Sequence, residues 1–223
     1  MLYGRSGERA DSHNGPNYIE LFAILTFGAG HVITEILFDE TIARLYNVVV
    51  AIGILGYVIW RLLSKKDQCR SWGMRLDNFT KAFRAHLSFA IPALIGMACY
   101  GLLFASLRLP RTFWLTVCLY PVWGIAQQFA LQNLIARNLR GLIGNRVLLS
   151  LVASSLFSLA HLPQFPLVAL TLIAGFFFTL IYRREPNIWA VGIVHSILGG
   201  LAFYVVLGDD PGAAIVAWVV ALF

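Results

Sequence analysis

Gln127, Gln128 and Gln132 stand in GIAQQFALQNLIARNLRG, Gly124 to Gly141, a run otherwise apolar enough for a membrane. Gln128 and Gln132 are four residues apart, so a helix puts them on one face, where they can hydrogen-bond each other. Gln127 points about 100° away, toward a different neighbour. Amides inside lipid bond across helices for about 1 kcal/mol each, and taken alone the cluster reads first as such glue. Two histidines also fall in apolar stretches: His161 closes SSLFSLAH, one turn after Phe157, and His195 lies within WAVGIVHSILGG. A single His at a helix end more often serves as a structural donor than as a catalyst. Around His195, Gly192, Ser196, Gly199 and Gly200 form a small-residue face, a packing surface that also lets a neighbouring helix bring polar groups to the imidazole. In HVITEILFDE, His31, Glu35 and Asp39 follow at i, i+4 and i+8. Asp39 and Glu40 are expected to reach water, and Glu35 to satisfy itself against His31.

The chemistry open to these groups is limited by type. A carboxylate or imidazole in a tuned environment exchanges a proton near neutral pH. A neutral amide does not, although it pairs well with exposed peptide backbone. His161, His195 and Glu35 are also residue types that zinc accepts in threes, but no spacing compels a metal site.

Such groups need helices to hold them. The 223 residues are 59% hydrophobic and 13% charged, about half the charged fraction of a soluble domain. This composition implies an all-α, polytopic transmembrane helix bundle. Apolar windows predict spans over Tyr18–Phe38, Leu45–Leu63, Leu87–Leu107, Thr112–Ala136, Val147–Leu162, Pro166–Tyr182 and Ile188–Leu207. An eighth window, Gly212–Phe223, is too short to cross about 30 Å at 1.5 Å per residue. The reading is therefore a polar N-terminal tail, 1–17, with no apolar core of a signal peptide, and one transmembrane domain, 18–223. Cys69, Cys99 and Cys118 are scattered and suggest no disulfide framework.

The net charge of +6 does not point to nucleic acid, because the basic residues sit between spans and suit anionic lipid. Lys65, Lys66, Arg70, Arg75, Lys81 and Arg84 follow the second span; only Arg108 and Arg111 follow the third. Arg137, Arg140 and Arg146, then Arg183 and Arg184, continue the alternation, which sets both termini on the cytoplasmic side. Lys65 to Arg84 reads as a juxtamembrane segment, with Trp72, Leu76, Phe79 and Phe83 dipping into lipid. Counted from the cytoplasmic ends, Gln127 lies about 15 Å deep, His195 about 11 Å and His161 about 21 Å. Span edges and tilt cover that scatter, so one pocket in the cytoplasmic half is expected to hold all three.

Three segments in this order resemble the CAAX prenyl protease and bacteriocin-processing (CPBP, Abi) family of intramembrane proteases, whose pattern is EExxxR, FxxxH and HxxxN on about eight helices. FSLAH, Phe157 to His161, keeps the second motif. His195 keeps the start of the third, with Gly199 in place of its Asn. QQFALQ stands for the first, with Gln127 and Gln128 for the two Glu and Gln132 for the Arg. WGMRLDNF, Trp72 to Phe79, is similar to the family's pre-core segment, so the resemblance covers 72–207. It implies that Gln127 and His161 hold the water-activating positions and His195 an oxyanion position. It further implies a multi-pass protein of a prokaryotic cell membrane and lipidated or membrane-inserted peptide substrates. No Asp or Glu stands between Asp77 and Glu185, so a carboxylate would have to come from elsewhere, with Glu35 the best candidate. Paired Glu and Arg have become neutral together, as a settled variant would, because a stranded Arg in lipid is costly.

Three functions follow. An intramembrane endopeptidase explains why two imidazoles persist in lipid, and is preferred. An inactive relative that binds or escorts a membrane segment or lipidated peptide would need no base. A small transporter or channel is disfavoured by the lack of acids and of broken-helix signals in the central spans.

Overall fold

The computed structural model describes residues 16–64, 68–104 and 110–220. Residues 1–15 of the polar tail, Lys65, Lys66 and Arg108 lie outside the described residues. The chain is an all-α polytopic membrane protein: among the described residues five helices are long and apolar enough to cross a bilayer. These five are α1 (Tyr18–Leu37), α2 (Glu40–Ser64), α4 (Phe79–Leu103), α8 (Phe165–Tyr182) and the Ile188–Leu207 run of α9 with its extension; the single turn α3 (Gln68–Ser71) lies between α2 and α4, and α5 (Phe113–Phe129) follows α4. A π-helical segment, π1 (Ala130–Ala136), and a short turn, α6 (Arg137–Leu139), continue α5. Then follow α7 (Arg146–Leu159), α8 (Phe165–Tyr182), α9 (Ile188–Ala202) with its π-helical extension π2 (Phe203–Leu207), and α10 (Pro211–Val220).

Several helices begin where an asparagine precedes the apolar run. Asn17 accepts from the amides of Ile19 and Glu20, Asn145 from Val147 and Leu148, and Asn187 from Ala190. Each cap satisfies donors that the first turn would otherwise leave open.

The chain divides into two compact units, each discontinuous in sequence. The first comprises Met1–Arg75 and Ala130–Arg183. There α1 packs on α2, α7 on α8, and π1 lies against α1, α7 and α8. Leu21, Leu131, Ile135, Leu149, Ala153 and Phe157 form its apolar core. Gly175 lets α8 approach α7, since a Cβ there would stand 3.1 Å from that of Ser154.

The second unit comprises Leu76–Phe129 and Arg184–Phe223. α9 packs against both α4 and α5, and α10 against α5. At one end Thr112 donates to Asp210 Oδ2 (2.6 Å) while Tyr204 and the Ala213 amide donate to Oδ1 (3.0 and 2.9 Å), so Asp210 caps α10 and ties it to the start of α5. Gly208 makes the preceding turn at a φ of 73°, in the left-handed region where glycine carries no Cβ penalty.

Two expectations change. The third membrane helix starts at Phe79, not Leu87, because its first turns alternate polar residues with Phe79 and Phe83, whose rings stack at 5.7 Å. A hydropathy window averages such turns away. Trp72 does not dip into lipid: it is fully buried within the first unit. Its carbonyl accepts from Asn133 Nδ2 (3.2 Å) and Tyr182 (3.1 Å), and the Arg137 guanidinium stands 5.9 Å from its ring centroid.

Candidate functional site

In the second unit α5 and α9 approach closely because both present small residues to each other. A Cβ on Gly124 would meet Ser196 Oγ, the Gly192 carbonyl at 3.1 Å and His195 Cδ2 at 3.1 Å; one on Gly192 would meet the Ile125 backbone at 2.9 Å. Ser196 gives its hydroxyl to the Gly192 carbonyl (2.7 Å) and the Tyr120 carbonyl (3.3 Å), so it exposes no unpaired group in the contact. The small face expected around His195 is thus the seat of α5.

This contact brings Gln127, Gln128 and His195 together. Gln128 Nε2 lies 3.0 Å from His195 Nδ1, and His195 Nε2 lies 2.8 Å from Gln127 Oε1. Gln128 is fully buried, His195 is 7% exposed and Gln127 half-buried. So arranged, the Gln128 amide donates to the Nδ1 lone pair and the ring donates its Nε2–H to the Gln127 carbonyl. Turning both amides over exchanges the ring tautomer and still leaves both nitrogens satisfied. The imidazole is clamped between two neutral groups. Gly199, one turn on, faces the Tyr120 ring: a Cβ would stand 3.0 Å from both Cε1 and the hydroxyl oxygen. The room a side chain would need at Gly199 is taken by Tyr120, a residue the sequence reading did not single out.

The remaining predicted residues belong to the first unit. His161 follows the end of α7, and its Nδ1 lies 3.1 Å from the Phe157 carbonyl. A carbonyl can only accept, so Nδ1 carries the hydrogen and Nε2 keeps a lone pair. Phe157 packs its ring edge-on against His161 at 5.0 Å. The FxxxH spacing therefore fixes both the orientation and the tautomer of the histidine. Gln132, on π1, donates to Thr179 Oγ1 on α8 (3.3 Å), and Gln128 bonds His195, so each amide has a partner on another helix. Glu35 pairs with His31 at 3.8 Å, as its spacing suggested, with both side chains partly exposed. Asp39 caps α2 instead of continuing the α1 face, accepting from the amides of Thr41 and Ile42.

Among the described residues the buried acid of this unit is Glu20, which sequence reasoning passed over. Its Oε2 accepts from Arg137 (2.8 Å) and Asn138 (2.9 Å), Tyr57 donates to Oε1, and Arg61 lies 3.6 Å away. In the first turn of a helix Glu20 reads as an ordinary favourable charge at the positive end of the dipole. Only the pairing of α1 with α2 and α6 shows its second task. Among the described residues, no three His, Cys, Asp or Glu side chains gather into a group that could hold a metal ion. The zinc set of His161, His195 and Glu35 gains no support from that.

Residues 109–201 match the family model described as Type II CAAX prenyl endopeptidase Rce1-like. The stretch contains Gln127, Gln128, Gln132, Phe157, His161, His195 and Gly199. Over residues 109–201 the resemblance to the CAAX prenyl protease family is borne out, and the match supports a membrane-protease type of function. No curated protein and no solved structure matches the chain.

Proposed function

We propose, on the premise that residues 109–201 are Rce1-like, that this chain is an intramembrane endopeptidase hydrolysing a peptide bond in lipidated or membrane-inserted substrates. The observation that supports it best is the state of His161, a ring with Nδ1–H committed to the Phe157 carbonyl and a lone pair left on Nε2. In this reading Nε2 takes a proton from water as the water oxygen attacks the scissile carbonyl. The proton passes to the departing amine when the C–N bond breaks, and the base is regenerated. Within the second unit, His195, Gln127 and Gln128 supply N–H groups of the kind that bind a peptide carbonyl.

A second reading, an inactive relative that holds such a peptide, is favoured by one observation. Both nitrogens of His195 already have neutral partners, Gln127 and Gln128. Two amides and an imidazole can bind backbone without any base.

The test is cleavage of a prenylated C-terminal peptide by the purified full chain in proteoliposomes, with products read by mass spectrometry. His161→Ala should lower turnover by roughly 10²–10⁴, the usual worth of a general base. Equal turnover in variant and parent sinks the enzymatic reading. A lipidated peptide that co-purifies uncleaved supports the second.

A further inference from the structure

The α5–α9 contact of the second unit also holds the hydroxyl of Tyr120, which the trio of Gln127, Gln128 and His195 does not use. Tyr120, Gly124 and Gln127 recur on α5 at i, i+4 and i+7, so they share the face that packs on α9. On α9, His195 and Gly199 are likewise four apart. The two helices run in opposite directions there. Gly124 lies against Gly192 and His195, whereas Tyr120, earlier on α5, lies against Gly199. Tyr120 therefore meets α9 one turn beyond His195, about 6 Å along the axis.

Tyr120 is held in place at three points. The Ser196 hydroxyl donates to its carbonyl (3.3 Å), the Phe203 ring meets its ring edge-on at 6.1 Å between centroids, and Cε1 rests against Gly199, 3.0 Å from where a Cβ would be. The hydroxyl oxygen is also 3.0 Å from that point. It stands where the polar end of a short side chain at 199 would reach, on the face of α9 that carries His195. Among the described residues no group donates to it or accepts from it. Inside a membrane span no bulk water replaces a missing partner, so an O–H fixed there suits an acceptor that a ligand brings. Gln127, Gln128 and His195 are neutral as bonded, which fits an uncharged carbonyl better than a carboxylate or a phosphate. Tyr120, Gln127 and Gly199 are each only half-buried, which leaves this stretch of the interface within reach of a ligand. Backbone groups along one edge of an extended peptide repeat every two residues, about 6.6 Å, close to the step from His195 to Gly199.

We propose that the Tyr120 hydroxyl donates to a backbone carbonyl of the bound peptide, a second anchor one turn from the His195 trio, so that the second unit takes an extended segment by its main chain. This rests on the reading that the chain binds a lipidated or membrane-inserted peptide, cleaved or not. The test is the Kd of a fluorescent prenylated peptide for the full chain in nanodiscs, by anisotropy, with every variant in a His161→Ala background so that no cleavage intervenes. Tyr120→Phe removes one oxygen and keeps the ring. Its melting temperature should match that of the His161→Ala chain, because the hydroxyl has no bond within the fold to lose, while the Kd should rise roughly fivefold to tenfold, the worth of one neutral hydrogen bond. Changing one peptide carbonyl to a thiocarbonyl, a weaker acceptor, should at the anchored position weaken binding to the His161→Ala chain and not to Tyr120→Phe. Tyr120→Ala combined with Gly199→Asn, which offers an amide N–H in the vacated room, should bind more tightly than Tyr120→Ala alone. An unchanged Kd in Tyr120→Phe overturns the anchor and leaves the peptide-binding reading standing. A fall in melting temperature that accompanies the weaker binding assigns the hydroxyl to the fold and also overturns it. No binding by the His161→Ala chain itself removes the peptide-binding reading, and the anchor with it.

Discussion

Gln127 faces the Nε2 of His195 at 2.8 Å, and the chemistry of that contact turns on a single substitution. An amide oxygen there accepts the ring hydrogen and does nothing more. Gln127→Glu would keep the shape and put a carboxylate in the same place, stabilising an imidazolium and adding a group able to take a proton from water. Under the endopeptidase reading its turnover of a prenylated peptide in proteoliposomes should rise by 10²-fold or more, the range for an added general base. An unchanged or lower rate would argue that the glutamines are part of a binding surface. The types of Gln127, Gln128 and His195 were legible in the sequence because polar groups in lipid need partners, and the pocket expected from depth joined Gln127 and His195 to His161. Their mutual arrangement was not legible. That a single imidazole takes one amide on each nitrogen depends on how closely α5 and α9 approach, which Gly124 and Gly192 permit. Tyr120 was invisible for the same reason: its significance comes from the space it fills beside Gly199.

At the scale of the helices, the apolar windows found the membrane segments because burial in lipid writes itself into composition. They erred at the ends. The amphipathic first turns of α4 averaged out, whereas the span expected over Thr112–Ala136 holds, its last seven residues forming the π-helical π1, a widened turn of the kind that recurs at functional sites. Glu20 shows what periodicity cannot reach, since its partners Arg61, Arg137 and Asn138 lie far off in the chain. Removing its charge while keeping its shape leaves two arginines facing an amide. Glu20→Gln should therefore destabilise the first unit by roughly 3–5 kcal/mol, the usual cost of breaking a buried pair. Thermal unfolding in detergent would show it, and a variant as stable as the parent would mean that the network carries no net energy. The α10 cap makes a different prediction. Partial desolvation alone would raise the Asp210 carboxyl, but hydrogen bonds from Thr112, the Ala213 amide and Tyr204 outweigh it and hold the group below its ordinary value. A carboxyl lowered on folding contributes stability above the unfolded value of about 3.9 and loses it as the pH falls through the folded value. The melting temperature of the parent should therefore drop more steeply below about pH 4 than that of Asp210→Asn, which keeps an N-cap acceptor but does not titrate.

For the molecule as a whole, the strongest statement available from charge alone concerns orientation. Arg70, Arg75, Lys81 and Arg84 follow α2, and Arg137, Arg140 and Arg146 follow α5, whereas the loop before α10 offers Asp209 and Asp210. Cations are held back on the side where synthesis occurs and anions are nearly indifferent, so the first two groups should face the cytoplasm and the Asp209–Asp210 loop the far side. The chain carries its own probe. Cys69 is exposed, one residue before Arg70. With Cys99 and Cys118 changed to alanine, a membrane-impermeant maleimide should label Cys69 in inverted vesicles but not in intact cells. Asp209→Cys in a cysteine-free background should show the opposite pattern. Under the endopeptidase reading the arrangement also matters for the chemistry, because it sets the side from which a lipidated peptide would have to enter. Labelling of Cys69 from outside intact cells would reverse the molecule in the bilayer and send any peptide in from the other side.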